Sequence, residues 1–448
     1  MKMRNVGVLL FVLLQSLCGF GQEFAGTWKG DLNAGGMRIP LVIHIQKSES
    51  GLAVSADSPT QGAYNLPGKI EVIADSLSIS LDAGIAIRGR LANDTTIQTT
   101  FYQGNTQLPL SLIRQNASNR ISKLNRPQEP QPPYPYNSED FQLTKDEETS
   151  YGGTVTSPGK EGKYPAVILI SGSGQQNRDS ELFGHKPFKV LADYLTKNEF
   201  VVLRFDDLGV GQSKGDLRNF TTLTQAADIS FLLDYLAQHP KVDRTKIGLI
   251  GHSEGGVIAP IVAAHDDRVR YVVSLAGMAV TGYELSLRQR KDFNSEIPPA
   301  KEKFYSDLLD VMQAEGSQDN IRAEMQRKVD AFAATEQLTG QDTVALSRLF
   351  TPWFITFVNL DPAIYLDQLD IPVMALNGGK DVQVIAEDNL RIFEQHLPKR
   401  KENVFKTYPL LNHLFQTAST GALDEYVNIE ETFNEQVLKD MADWLKER

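Results

Sequence analysis

Two rhythms of apolar and polar residues divide the chain, and a proline-dense stretch separates them. From Phe24 to Arg114 the apolar residues come in short runs that mostly alternate with polar ones. Gly26-Thr27-Trp28-Lys29-Gly30 opens the series, and Ile39-Pro40-Leu41-Val42-Ile43-His44-Ile45 follows. Ser76 to Leu81, Ile85 to Arg90, Thr95 to Tyr102 and Leu108 to Ile113 complete it, with Gly, Asn-Asp and Pro turns between. A period of two with one apolar face predicts antiparallel strands forming a sandwich or small barrel. His44 falls inside this alternation. It is expected to be a strand residue facing one side, with no partner histidine or carboxylate cluster to suggest a metal.

Residues 116–137 break the pattern with Arg126-Pro127-Gln128-Glu129-Pro130-Gln131-Pro132-Pro133-Tyr134-Pro135-Tyr136. Proline at this density supports neither helix nor central strand, so the stretch predicts a semi-rigid extended linker. Beyond it, Phe141-Gln142-Leu143 and Gly153 to Thr156 suggest an opening hairpin. Strands are then predicted at Pro165 to Ile170, Phe200 to Phe205, Ile247 to Ile250, Tyr271 to Leu275, Ile371 to Leu376 and Val404 to Tyr408. Helical periods fall between them: about Pro187 to Asn198, Leu223 to Gln238, Gly256 to Ala264, Ile385 to Leu397 and Glu430 to Lys446. Apolar strands spaced by helices imply a mostly parallel sheet covered on both faces. From Tyr283 to about Phe357 the sequence is charged and helical without a strand signal. This predicts a helical insertion at about 282–360, placed to act as a lid over the carboxyl ends of the sheet.

The first residues are expected to lie outside any fold. Met1-Lys2-Met3-Arg4 is basic, Val6 to Leu14 is unbroken apolar sequence, and Gly19-Phe20-Gly21 offers small residues before Gln22. That order predicts a cleavable secretory signal over residues 1–21, too short for a typical spanning helix. It implies export to a bacterial periplasm or the medium, with no stable membrane insertion after cleavage. The single cysteine, Cys18, lies within it and follows the bulky Leu17, which disfavours acylation there. The mature chain then has no disulfide and no thiolate chemistry. The expected plan is a β-rich domain at 22–115, the linker at 116–137 and an α/β domain at 138–448. A formal net charge of −11 without a dense basic run argues against nucleic acid as a partner. No metal or organic cofactor is implied, and the oligomeric state is left open.

Candidate chemistry concentrates at Gly251-His252-Ser253-Glu254-Gly255, between the Ile247 to Ile250 strand and the following helix. Strand, G-x-S-x-G and helix in that order predict a nucleophile elbow. The glycines let strand and helix pack closely around a strained serine, whose hydroxyl is presented at the end of the sheet. Ser253 then needs a base and a group to orient it, in the chain order Ser, Asp, His. His413, in the loop after the last strand, is the expected base, because ligands of such sheets gather at the strands' carboxyl ends. His265 ends the elbow helix away from the serine, and His396 ends another helix near Pro398. Asp381, in Gly378-Gly379-Lys380-Asp381, is the expected orienting acid; Asp361, Asp367 and Asp370 precede their strand, at the wrong end. The oxyanion hole is expected from the Glu254 and Ser173 backbone N–H groups, the latter in Ser171-Gly172-Ser173-Gly174. That loop lacks the spacing and Lys-Ser/Thr ending of a phosphate-binding loop.

From Pro165 to His413 the chain resembles the α/β-hydrolase superfamily. Within it, the chain is similar to exported bacterial carboxylesterases and serine aminopeptidase-like hydrolases that carry an N-terminal β-rich domain. The resemblance rests on Gly172-Ser173-Gly174 with Asn177-Arg178-Asp179, on Phe205 to Ser213, on the elbow, and on Pro352-Trp353-Phe354. Gly379 to Val384, Leu411 to Phe415, Asp57-Ser58-Pro59 to Gly62 and the Gln103-Gly104 turn extend it. Leu208 stands where arginine is usual, and Ser171 where histidine often precedes the oxyanion glycine. The resemblance implies an α/β-hydrolase sheet with a helical lid insertion, preceded by a small all-β domain. The implied function is a serine hydrolase cleaving small-molecule carboxylic esters through Ser253, Asp381 and His413 and an acyl-enzyme. A serine aminopeptidase-like peptidase and a catalytically weak binding protein using its β domain are the alternatives. Trp353, Phe354 and Phe357 are expected to line an acyl pocket or to pack the lid on the core. Arg178 and Asp179 are expected to form a structural ion pair holding the oxyanion loop, in preference to contacting substrate.

Overall fold

The computed structural model describes residues 24–34, 37–48, 51–58, 63–81, 84–103, 106–115, 125–293, 298–336, 338 and 340–448. The expected signal sequence, Cys18, the segment 59–62, Gly104 and the first half of the linker lie outside them. The chain forms two compact units divided after residue 124, with residues 337–347 grouped in the first.

The described residues of the first unit form eight strands: β1 (Gly26–Ala34), β2 (Met37–Ser48), β3 (Gly51–Ser58), β4 (Ala63–Ile73), β5 (Ser76–Leu81), β6 (Ile85–Asn93), β7 (Thr96–Gln103) and β8 (Thr106–Arg114). Each pairs antiparallel with its neighbour, and β8 returns to β1 through Trp28 and Arg114, closing a barrel. Closure removes the exposed sheet edges that would template aggregation. The alternation places Trp28, Ile43, Ile45, Ile79, Ile87, Ile97 and Leu112 in a buried interior. Burying each such side chain is worth roughly 1.5–3 kcal/mol. His44 does have an acidic partner. Its Nε2 lies 2.8 Å from Asp57 Oδ2 across β2 and β3, a contact set by strand register. Among the described residues no cluster of His, Cys, Asp and Glu could hold a metal ion.

The second unit begins with linker residues held by side chains of their own. Arg126 donates to the Ile429, Val427 and Phe183 carbonyls, and Gln128 bridges Thr432 and Phe433. The sheet contains β9 (Tyr136–Thr144), β10 (Ser150–Pro158), β11 (Tyr164–Ile170), β12 (Val201–Phe205), β13 (Val242–His252), β14 (Val269–Leu275), β15 (Val373–Gly378) and β16 (Val404–Tyr408). Their order is β16-β15-β14-β13-β11-β12-β10-β9; β9 and β10 are antiparallel and β11 to β16 run parallel. Along the chain the helices are α1 (Pro187–Lys197), α2 (Thr222–Gln238), α3 (Gly255–Ala263), α4 (Gly282–Phe293), α5 (Pro299–Met312), α6 (Gln318–Ala333), α7 (Gly340–Leu349, most of which groups with the first unit), α8 (Pro352–Val358), α9 (Ala363–Leu366), α10 (Ala386–His396) and α11 (Glu435–Lys446).

Alternate residues of β11 enter two separate cores. Ala166, Ile168 and Ile170 pack with α2, α3 and α10, while Val167 and Leu169 pack with α1 and α11. A strand buried on both faces must read as a continuous apolar run, which is why Pro165 to Ile170 shows no alternation. Helices α4 to α8 occupy the predicted insertion between β14 and β15. Among the described residues no helix is long and apolar enough to cross a membrane.

Candidate active site

Ser253 sits between β13 and α3 with φ 56°, a left-handed conformation that a non-glycine residue adopts only when its surroundings impose it. The surroundings leave little freedom. A Cβ on Gly251 would lie 1.8 Å from the Gly255 carbonyl oxygen, and one on Gly255 would lie 2.2 Å from that of Ile170. The elbow glycines are therefore required by the crossing of strand, turn and helix. Ser253 is half-buried.

Asp381 and His413 come together from different strands. Asp381 follows β15 and His413 follows β16, and His413 Nδ1 lies 2.7 Å from Asp381 Oδ2. The other carboxylate oxygen accepts from the Gln383 and Val384 N–H groups at 2.8 and 2.9 Å. Asp381 is thus fixed in orientation before it meets the imidazole. Asn412 braces the histidine loop by accepting from the Leu414 and Gln416 N–H groups. Among the described residues the Ser253 hydroxyl makes no hydrogen bond, so the serine–histidine link is open in this state; such links often tighten only with substrate bound. The competing residues are engaged elsewhere. His396 meets Asp367, His265 Nδ1 caps the Ile261 carbonyl, and Asp370 pairs with Arg400.

Two residues that the sequence did not single out hold His413 from its backbone side. His252 Nε2 donates to the His413 carbonyl at 2.9 Å, and the rings stand 4.7 Å apart. Burial first, and the neighbouring His413 second, push its pKa down to about 3, so His252 is neutral and its Nε2 carries the proton. The Tyr426 hydroxyl contacts the His413 backbone and also Gln383. Tyr426 is fully buried, with its carbonyl facing His185 Nε2 at 3.1 Å.

The candidate oxyanion donors face a similar support. Among the described residues, neither the Ser173 nor the Glu254 N–H is bound to a protein acceptor. Under their loop lie two buried carboxylates. Asp207 Oδ2 accepts from the Ser171 hydroxyl and the Gln176 N–H, both at 2.9 Å. Burial pushes its pKa up to about 7, against those two bonds and aided by the Glu254 and Asp206 charges. Glu254 Oε1 accepts from Thr222 Oγ1 at 2.6 Å and Trp353 Nε1 at 2.7 Å. Burial raises its pKa, while Thr222, Trp353 and the Ser173 hydroxyl act to lower it. Ser171, in the position where histidine is common, therefore works as a hydroxyl tether.

Arg178 and Asp179 do not form the expected pair. Arg178 donates to both carboxylate oxygens of Asp206, to the Gly153 carbonyl and to Gln212, while Asp179 pairs with Arg204. Each of the two neighbours is tied to a different residue of the β12 strand and its following turn. Leu208 is buried and packs over Gly215. Trp353, Phe354 and Phe357 form a stack on α8 with ring centroids 5.4–6.3 Å apart. Phe357 is buried in the main core, whereas Trp353 and Phe354 are half-buried.

Comparison with known proteins agrees with this architecture. Residues 165–414, more than half of the chain, match the family model described as alpha/beta hydrolase fold. Esterase EstD of Thermotoga maritima is 23% identical over 299 residues, covering 65% of either chain. An uncharacterized 31.7 kDa protein of Escherichia coli is 31% identical over 166 residues, 35% of this chain and 55% of that one. The chain thus spans less than two thirds of the curated relatives it matches. Among solved structures, the alpha/beta hydrolase GrgF from Penicillium sp. sh18 aligns with a TM-score of 0.44 at 18% identity, over 69% of this chain and 98% of that chain. With its doubly covered parallel sheet, its strained serine elbow and a family match from Pro165 to Leu414, the chain belongs to the alpha/beta hydrolase fold family.

Proposed function

We propose that this chain hydrolyses carboxylic esters, with Ser253 as nucleophile, His413 as base and Asp381 as its orienting acid. The observation that carries this reading is one coincidence. A serine at φ 56° lies in an elbow, and an Asp381–His413 pair 2.7 Å apart stands in loops at the carboxyl ends of β15 and β16. In the first step His413 Nε2 takes the Ser253 proton as Oγ bonds to the ester carbon. The developing oxyanion is held by the Ser173 and Glu254 N–H groups. The carbon–alkoxide bond then breaks, and His413 passes its proton to the leaving alcohol. Water, deprotonated by His413, cleaves the acyl-enzyme and restores Ser253. Asp381 remains a carboxylate throughout and favours the imidazolium. Trp353 and Phe354 line the acyl pocket, while Phe357 belongs to the core beneath it. The basic start and apolar run within residues 1–21 favour export to the bacterial periplasm or medium.

The name of the Thermotoga maritima relative favours esters over peptides. The test is a panel of p-nitrophenyl acyl esters beside aminoacyl p-nitroanilides. Ester turnover that disappears in Ser253→Ala supports the proposal; faster cleavage of the anilides would transfer the site to a peptidase.

A further inference from the structure

One charged side chain beside this site has no part in the reaction above. Arg348, near the end of α7, places its guanidinium carbon 5.0 Å from the centroid of the Trp353 ring. Trp353 in turn donates to Glu254, the residue after the nucleophile. Arg348 is reachable by water, yet the protein around it lowers its pKa by burial, and Glu254 raises it. Among the described residues its guanidinium makes no hydrogen bond or salt bridge. Other lid arginines are engaged: Arg322 with Asp319, Gln318 and the Phe350 carbonyl, Arg290 with Glu302, and Arg288 with Asp388.

Glu254 does not satisfy it. That carboxylate is buried, takes two donors on Oε1 and lies beyond ion-pair distance of Arg348. The site therefore presents an open cation to an incoming ligand, while its nearby anion is already occupied. An ammonium on the substrate would meet the wrong charge; a carboxylate would meet a planar fork of donors held on an aromatic ring.

We propose that Arg348, seated on Trp353, is a recognition site for a carboxylate on the substrate, so that the preferred substrates are half-esters bearing a second, free acid group. This rests on the ester-hydrolase reading and narrows it to a substrate class. Hydrolysis consumes one water and releases the alcohol, a dicarboxylate and one proton.

The experiment uses the full chain and three matched sets of p-nitrophenyl esters with terminal carboxylate, methyl or ammonium. The carboxylate set runs from succinate to suberate, so that chain length scans the reach to Arg348. At the best length the carboxylate ester is expected to exceed its methyl counterpart by about tenfold in kcat/KM, mainly through KM, the order of one charge-assisted bond. The ratio falls towards one in Arg348→Gln, is partly kept in Arg348→Lys and declines with salt. A ratio near one at every length in wild type, or one unchanged in Arg348→Gln, overturns the proposal. If no ester is turned over, the ester reading fails by itself. The subsite is then judged by calorimetric binding of the p-nitroanilides of the same half acids. Binding lost in Arg348→Gln supports it, and no binding by wild type overturns it.

Discussion

Asp207 offers a quantitative test of how the oxyanion loop is held. Its buried carboxylate receives the Ser171 hydroxyl and the Gln176 N–H, with Gln225 Nε2 at 3.4 Å from the other oxygen. Glu254 and Asp206 are the charges that face it unfavourably. Burial raises its pKa from 3.8 to about 7 in the folded protein. The sign follows from linkage. Between those values the folded state holds a proton that the unfolded state has lost. Stability from this group is present in full below the lower value and is lost as pH rises through about 7. At about 1.4 kcal/mol for each tenfold change in proton affinity, the loss amounts to at most about 4 kcal/mol. Asp207→Asn removes the charge but keeps an oxygen for Ser171 and Gln176. Urea unfolding should be followed at 222 nm, where the helices of the second unit dominate. Wild-type stability minus that of Asp207→Asn is expected to fall by as much as about 4 kcal/mol between about pH 4 and about pH 8.5. A difference that stays flat, or rises with pH, would refute the raised pKa of Asp207 beneath the loop.

Two further outcomes follow from the same framework. His252→Gln removes the ring that donates to the His413 carbonyl at 2.9 Å. It is expected to lower kcat about tenfold or more with little change in KM, and to slow fluorophosphonate labelling in parallel; labelling at the wild-type rate would show that His252 does not position the base. Gly255→Ala puts a Cβ 2.2 Å from the Ile170 carbonyl oxygen and 2.6 Å from that of Ser171. The strain should lower stability by about 1–3 kcal/mol in chemical denaturation and also displace the oxyanion loop, so that activity falls further than stability predicts.

Much of this site was legible because its chemistry is tied to local sequence. The elbow glycines are dictated by contacts within one strand–turn–helix unit, and the β11 run is apolar because both faces of that strand are buried. Asp381 and His413 could be chosen because the carboxyl ends of strands define where each loop emerges. The supporting residues were not legible in that way. His252 reads as the variable position of the G-x-S-x-G motif, and only the fold sets its ring against the backbone of a loop 161 residues away. Tyr426 lies between the predicted Val404 to Tyr408 strand and Glu430 to Lys446 helix, and becomes a contact to His413 through tertiary packing alone. Asp207 carried a signal of sorts, as a second acid just past the end of a strand buried along its whole length. Arg178 and Asp179, adjacent and opposite in charge, invited pairing with one another. Each instead found a partner on β12 or its turn, where a fork of donors could be satisfied more fully. The barrel strands followed their period of two, but closure between β1 and β8 depends on a register that alternation leaves undetermined.

The central claim, that Ser253 is the nucleophile served by His413, is tested most directly by covalent labelling. The folded protein is treated with a fluorophosphonate and the adduct located by peptide mass mapping. One adduct is expected, on Ser253, absent from Ser253→Ala and formed at least about a thousandfold more slowly in His413→Ala. An adduct on another residue, or full ester hydrolysis by folded Ser253→Ala, would contradict it.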